Sequence, residues 1–199
     1  MAKIKFSKTE LKKQRDDLKR FSRFLPTLQL KKQQLQGEVR KMNEQIEQHR
    51  ERLDRFTAEL GDWVGLFNVD EADVVKDQVE VEELVLDTRN IAGVDIPVLT
   101  DVTFAPLTHD LYRTSPWVDA GIKTMKEMIE LEAEGRVLAR QRELLEAELR
   151  TTTQRVNLFE KVKIPEAEEN IRKIQIYLGD QQTAAVARAK IAKNKLVES

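Results

Sequence analysis

Residue types that commonly do chemistry are scarce in this 199-residue chain. There is no cysteine, so neither a disulfide framework nor a thiolate metal site can be built. The two histidines, His49 and His109, have no partner spaced for a shared metal. No GxxxxGKS or GxxxxGKT loop occurs, so no nucleotide or other cofactor site can be read. Two acidic runs, VEVEEL (Val79 to Leu84) and EAEEN (Glu166 to Asn170), bring carboxylates together in sequence. No cleft-forming pattern surrounds them, and a solvated face accounts for them better than acid–base catalysis. His49 falls on an apolar seam, where a polar residue helps fix helix register. The chain is therefore read as having no catalytic, cofactor-binding or metal-binding residues of its own.

The elements that carry these residues are long and charged. Aromatics make up 6% and charged residues 35% of the chain, a balance that favours long helices with narrow apolar seams over a thick core. No run of about 18 apolar residues is present, and "MAKIKFSKTELKKQ" lacks the apolar centre of a signal peptide. A cytoplasmic protein without membrane insertion is expected. Net charge is −1, yet it is unevenly placed. Residues 1–32 hold eleven Lys/Arg against three acids, residues 68–117 three against eleven, and residues 181–199 four against one. Both ends are basic and the middle is acidic.

Every seventh residue from Leu11, and every seventh from Gln14, forms a seam in which fourteen of seventeen positions to Phe67 are apolar. Leu18, Phe21, Leu28, Leu35, Val39, Met42, Ile46, Leu53, Phe56 and Leu60 belong to it. A heptad repeat held this long imposes a left-handed supercoil and demands a partner helix. From Met128 a second seam runs through Val156 and Phe159. Past Pro165 it moves on by one residue, to Ala167, Ile171 and Ile174, which predicts weaker supercoiling there. Pro26 and Pro165 are each expected to remove a helix hydrogen bond and bend their helix.

Between the helices, "QVEVEELVL" and "DIPVLTDVTF" read as two strands joined at "NIAGV", with Gly93 supplying a positive φ. The expected fold class is all-α dominated: a long antiparallel two-helix left-handed coiled coil with a small central β-hairpin head. The segments are 1–69 (helix), 70–117 (acidic hairpin head) and 118–199 (helix). Antiparallel pairing would gather Lys3, Lys5, Lys8, Lys12, Lys13, Lys190, Lys193 and Lys195 at one basic tip, opposite the acidic insert. The hairpin would project, offering Arg89, Asn90, Ile91, Ala92, Gly93, Val94, Asp95, Ile96 and Pro97 to a partner. Its apolar Ile91, Val94 and Ile96 would make a non-slipping contact.

The basic N-terminus, "LKKQQL" (Leu30 to Leu35), the "NIAGVDIPV" hairpin and "TTTQRVNLFEKVKIPEAEENIRKIQIYL" (Thr151 to Leu178) together resemble the D subunit of the V/A-type rotary ATPases. The Arg155-Val156-Asn157, Glu160 and Ile164-Pro165 pattern is its most specific part. The resemblance implies a non-catalytic central rotor shaft, peripheral on the cytoplasmic face of the membrane. Its implied partners are the catalytic A and B subunits, the small F subunit, and the funnel-like C (or d) subunit above the membrane ring. A coiled-coil scaffold or tether is the alternative that periodicity alone leaves open. A nucleic-acid footprint in residues 1–32 has charge in its favour but no binding motif and few aromatics.

Overall fold

The computed structural model describes residues 5–64, 79–106 and 117–197. Among these residues are the α-helices α1 (Lys8–Val64), α2 (Trp117–Leu158) and α3 (Ile164–Val197), and a two-stranded antiparallel sheet of β1 (Val81–Ile91) and β2 (Val94–Phe104). Helix α1 starts where it does because Ser7 caps it. The Ser7 hydroxyl accepts from the Glu10 amide at 3.2 Å, and the Ser7 carbonyl accepts from the Leu11 amide. The helix runs unbroken through Pro26, which lies on its exposed side, as does Ser22. The Ser22 carbonyl left without a donor there faces water.

The chain divides into two compact units, one of residues 1–32 with 150–199 and one of residues 33–149. The first is an antiparallel helix pair. Phe6 lies tilted against Tyr177 at 5.0 Å, Asn170 donates to the Gln14 side chain at 3.4 Å, and Phe21 stacks on Phe159 at 5.3 Å. Thr152, Val156, Ala167 and Ile174 are buried along its seam, and Leu18, Phe21, Leu28, Phe159 and Ile171 are half-buried.

A π-helix, Phe159–Lys163, joins α2 to α3 in this unit, with the Ile164 amide donating to the Phe159 carbonyl five residues back. One π-turn adds one residue to the helix without breaking it. It therefore absorbs the one-residue seam slip that the sequence shows at this point. It also suits Pro165, which has no N–H to offer and sits in the first turn of α3. Beyond Leu178 every residue to Asn194 is exposed. Helix α3 thus extends about 30 Å past the Phe6–Tyr177 pair, at ~1.5 Å per residue.

The second unit carries the hairpin on its helix pair. Its core joins Leu35 and Met42 of α1, Leu145 of α2 and Ile96 of β2, all buried. Val39, Ile46, Ile91, Ala92 and Val94 pack against them. Leu53, Phe56 and Leu60 are half-buried. The turn is tighter than the sequence reading: β1 continues to Ile91 and only Ala92 and Gly93 lie between the strands. Both have positive φ, 51° and 78°, the geometry whose twist matches a two-residue hairpin. Gly93 adopts it freely, and Ala92 does so against its preference. The Asn90 side chain braces the turn, donating to Asp95 at 2.6 Å and accepting from the Gly93 amide at 3.1 Å.

Pro97 lies within β2, opposite Thr88, on an edge strand of the two-stranded sheet. Counting outward from the Ile91–Val94 closing pair, Thr88–Pro97 is a non-hydrogen-bonded pair, so its missing N–H costs the ladder nothing. Its outward carbonyl accepts from the buried Gln141 amide of α2.

The hairpin does not project. Its base is held where the Lys126 ammonium lies 5.0 Å over the Phe104 ring, and its tip packs into the Leu35–Leu145 core. An isolated two-stranded hairpin is marginal in water, and lying along the helix pair supplies the apolar partner it lacks.

Candidate interaction surfaces

Among the described residues no cluster of His, Asp or Glu is arranged to hold a metal ion. Two of the three carboxylates of the EAEEN run are spent on surface ion pairs. Glu166 meets Lys163 at 3.5 Å and Glu169 meets Lys173 at 2.7 Å, a hydrogen bond that holds the Glu169 carboxyl below its ordinary range. His49 is buried, its Nδ1 3.5 Å from a Glu134 carboxylate oxygen that also pairs with Arg52. Its ring lies over Gly135, where an added Cβ would come within 2.9 Å of Nε2. That fit is a register lock of shape, tighter than a generic polar layer. His109 lies outside the described residues.

The hairpin-tip residues separate into two sets. Arg89, Asn90, Gly93 and Asp95 are exposed. Ile91, Ala92, Val94 and Pro97 are half-buried, and Ile96 is 2% exposed. Ile96 packs inside the unit and Ile91 and Val94 lean on the same core, so Arg89, Asn90, Gly93 and Asp95 are the most open members of the expected set. The exposed apolar surface is instead on the first half of β1, where Val81, Leu84, Val85 and Leu86 are all exposed. One sequence signal could have found it. The run "LVL" breaks the alternation of a one-sided strand, so one of its members must face away from the core. The ladder is also irregular near this run, with an extra residue at Glu82 of β1 and at Thr100 of β2.

The hairpin forms two grooves with the helices of its unit. One, of about 580 Å³, has a mixed lining that includes Arg52, Phe56, Asp101, Glu127 and Leu131. The other, of about 400 Å³, lies between β1 and α2 and is largely apolar.

The basic residues lie in the other unit. Lys5, Lys8, Lys12 and Lys13 are exposed near the start of α1, while Lys190 and Lys193 are exposed on the extension of α3. They share one end but not one level, since Lys190 is about 20 Å along the helix from Tyr177. Lys3 and the side chain of Lys195 lie outside what the structure describes.

The family model for the D subunit of ATP synthase matches residues 10–194. The chain belongs to the D-subunit family of V/A-type ATP synthases. The V-type ATP synthase D subunit from Borreliella burgdorferi is 46% identical over 198 residues, covering 100% of this chain and 97% of that protein. Proteins of the same name from Chlamydia caviae and Chlamydia pneumoniae are 34% and 31% identical, with 98% and 97% of this chain covered and 94% and 93% of theirs. Membership places the chain in the stalk of a rotary ATP synthase. No described helix is long and apolar enough to cross a membrane.

Proposed function

We propose that the chain is the non-catalytic central shaft of its complex. It carries torque between a catalytic hexamer of A and B subunits and the ion-translocating ring in the membrane. The supporting observation is helix α1, which runs for 57 residues without a break. A continuous helix carries torque along its length, and a supercoiled partner stiffens it. In this reading residues 1–69 and 118–199 form the shaft. Residues 70–117 form the part that meets neighbouring rotor subunits.

The exposed lysines near the start of α1 and on the α3 extension face the hexamer. Compact, hydrated ammonium groups steer assembly and make weak contacts that let a shaft turn. The exposed Arg89, Asn90, Gly93 and Asp95 meet the F subunit or the funnel-like C (or d) subunit. The chain sits on the cytoplasmic face of the membrane as a peripheral component and binds no nucleic acid or cofactor.

The experiment is omission. Complexes assembled without this chain and placed in vesicles should hydrolyse ATP without moving ions, and adding the chain back should restore transport. Transport without the chain would favour the tether reading.

A further inference from the structure

We propose that one face of α1 docks on a row of carboxylates along a helix of a catalytic subunit. This rests on the shaft reading, and it adds which face makes contact and what that face meets. The face carries Lys8, Lys12, Arg15, Lys19 and Arg23, spaced three or four residues apart and all exposed. At ~100° per residue they fall within an arc of about 80°, and the row is about 22 Å long at ~1.5 Å per residue. Its centre lies about 120° round the helix from the half-buried seam of Leu11, Gln14, Leu18 and Phe21. The row therefore faces away from the partner helix of its own pair.

Among the described residues none of the five makes an ion pair. Other bases of α1 do: Arg20 meets Asp17, Lys41 meets Glu38 and Arg52 meets Glu134. No acid falls within the arc. Asp16 stands at its edge, four residues from Lys12 and three from Lys19, and pairs with neither. The row acts against the helix that bears it. Like charges three or four residues apart destabilise a helix, and Lys8 sits in the first turn, where the helix dipole disfavours a cation. Helix stability thus gives no reason for the row, whereas an anionic surface laid over it relieves the repulsion.

Spacing and composition select the occupant. Steps of four, three, four and four residues advance about 4.5–6 Å each along the axis. Carboxylates at the same steps on a helix laid alongside meet every one of the cations. Arg15 and Arg23 can each grip a carboxylate through two parallel N–H donors. Single-stranded nucleic acid fits less well, because its bases need aromatic platforms. Phe21 is turned into the seam, and Phe24 lies about 140° round the helix from the row. Docking also differs from steering. Steering depends on total charge, and Arg188, Lys190 and Lys193 add to it from positions scattered over about 200° of the α3 extension. Docking depends on the row.

The test treats the full chain, assembled with A and B subunits, with a zero-length carbodiimide that joins an ammonium to a carboxylate only where they touch. Mass spectrometry should find Lys12 and Lys19 coupled to carboxylates on one helix of one catalytic subunit. Coupling only to this chain's own acids, coupling to carboxylates of unrelated elements, or no coupling in an assembled complex would overturn the docking. So would a DNA oligonucleotide that displaces the subunit from the row at physiological salt. A chain that forms no complex with A and B subunits at any salt overturns the shaft reading itself, which separates the two failures. A second measurement compares two charge reversals of equal size. Lys12→Glu with Arg15→Glu and Lys19→Glu should speed dissociation from the A and B assembly at least tenfold at low salt, with no loss of melting temperature. Arg188→Glu with Lys190→Glu and Lys193→Glu should speed it less than threefold. Equal effects of the two sets, or none from the first, would contradict docking by the row. Because the coupling result uses the unaltered chain, it decides the matter even where a reversed chain does not fold.

Discussion

Along residues 33–149 a β-hairpin covers one side of a helix pair, and along residues 5–32 and 150–197 the pair stands without one among the described residues. The covered pair is fixed by shape. Leu35 and Leu145 are sealed under Ile96, and the His49 ring fills the space over Gly135. The uncovered pair is held by a seam alone. There a π-turn takes up a phase slip that a tightly interlocked core would resist. A hairpin laid on a coiled coil thus supplies uniqueness of register, and its absence leaves room for local irregularity.

The largest expected effect tests the seal. Leu145→Ala should cost about 2–5 kcal/mol in chemical denaturation, as large-to-small core changes do. It should also speed amide exchange throughout β1 and β2, which share that core. Ile174→Ala, at an equally buried site of the other unit, should leave hairpin exchange unchanged. Equal effects on the hairpin would mean that the two units are not separately held.

A smaller effect tests the lock, through a contrast in sign. Helical Gly→Ala ordinarily stabilises by up to about 1 kcal/mol. Gly179→Ala should do so, since nothing lies within 4 Å of its added Cβ. Gly135→Ala should instead destabilise by about 1–3 kcal/mol through overpacking against His49. His49→Ala in the same chain should relieve most of that loss. Stabilisation by both alanines in thermal melts would remove the lock from the comparison.

Smallest is the acid response of the uncovered pair. The Lys173 ammonium depresses the Glu169 carboxyl in the folded chain. Whatever it contributes is therefore present above the unfolded pKa and lost as pH falls through the folded one. Lys173→Ala should move the Glu169 titration upward in an NMR pH series while barely changing the midpoint of unfolding. A Glu169 titration that does not move would mean the pair is not formed in solution.

Much of this architecture was legible in the sequence because heptads are a repeated signal. Each position from Leu11 to Leu60 on that repeat is buried or half-buried. The slip past Phe159 was legible as a shift of phase, but its form was not. A π-turn and a gradual relaxation give the same spacing, and only the backbone separates them. The hairpin was legible in place and kind. Its docking was not, because Ile91, Val94 and Ile96 look alike whether they face a neighbour or their own helices. Strand register added a second difficulty. The LVL run shows a strand apolar on both faces, but nothing local in sequence marks where the extra residues Glu82 and Thr100 fall in the ladder. The level difference between Lys8 and Lys190 depended on which residue of α3 faces Phe6, a choice that charge counts do not encode.

The most direct measurement watches the chain turn. Because it has no cysteine, Thr88→Cys on exposed β1 gives a single attachment point for a bead. The A and B assembly is fixed to a surface, the labelled chain is inserted, and ATP is added. The shaft reading predicts sustained one-way rotation of the bead that stops when ATP is removed. A bead that only fluctuates about one angle while the same assembly hydrolyses ATP would contradict it.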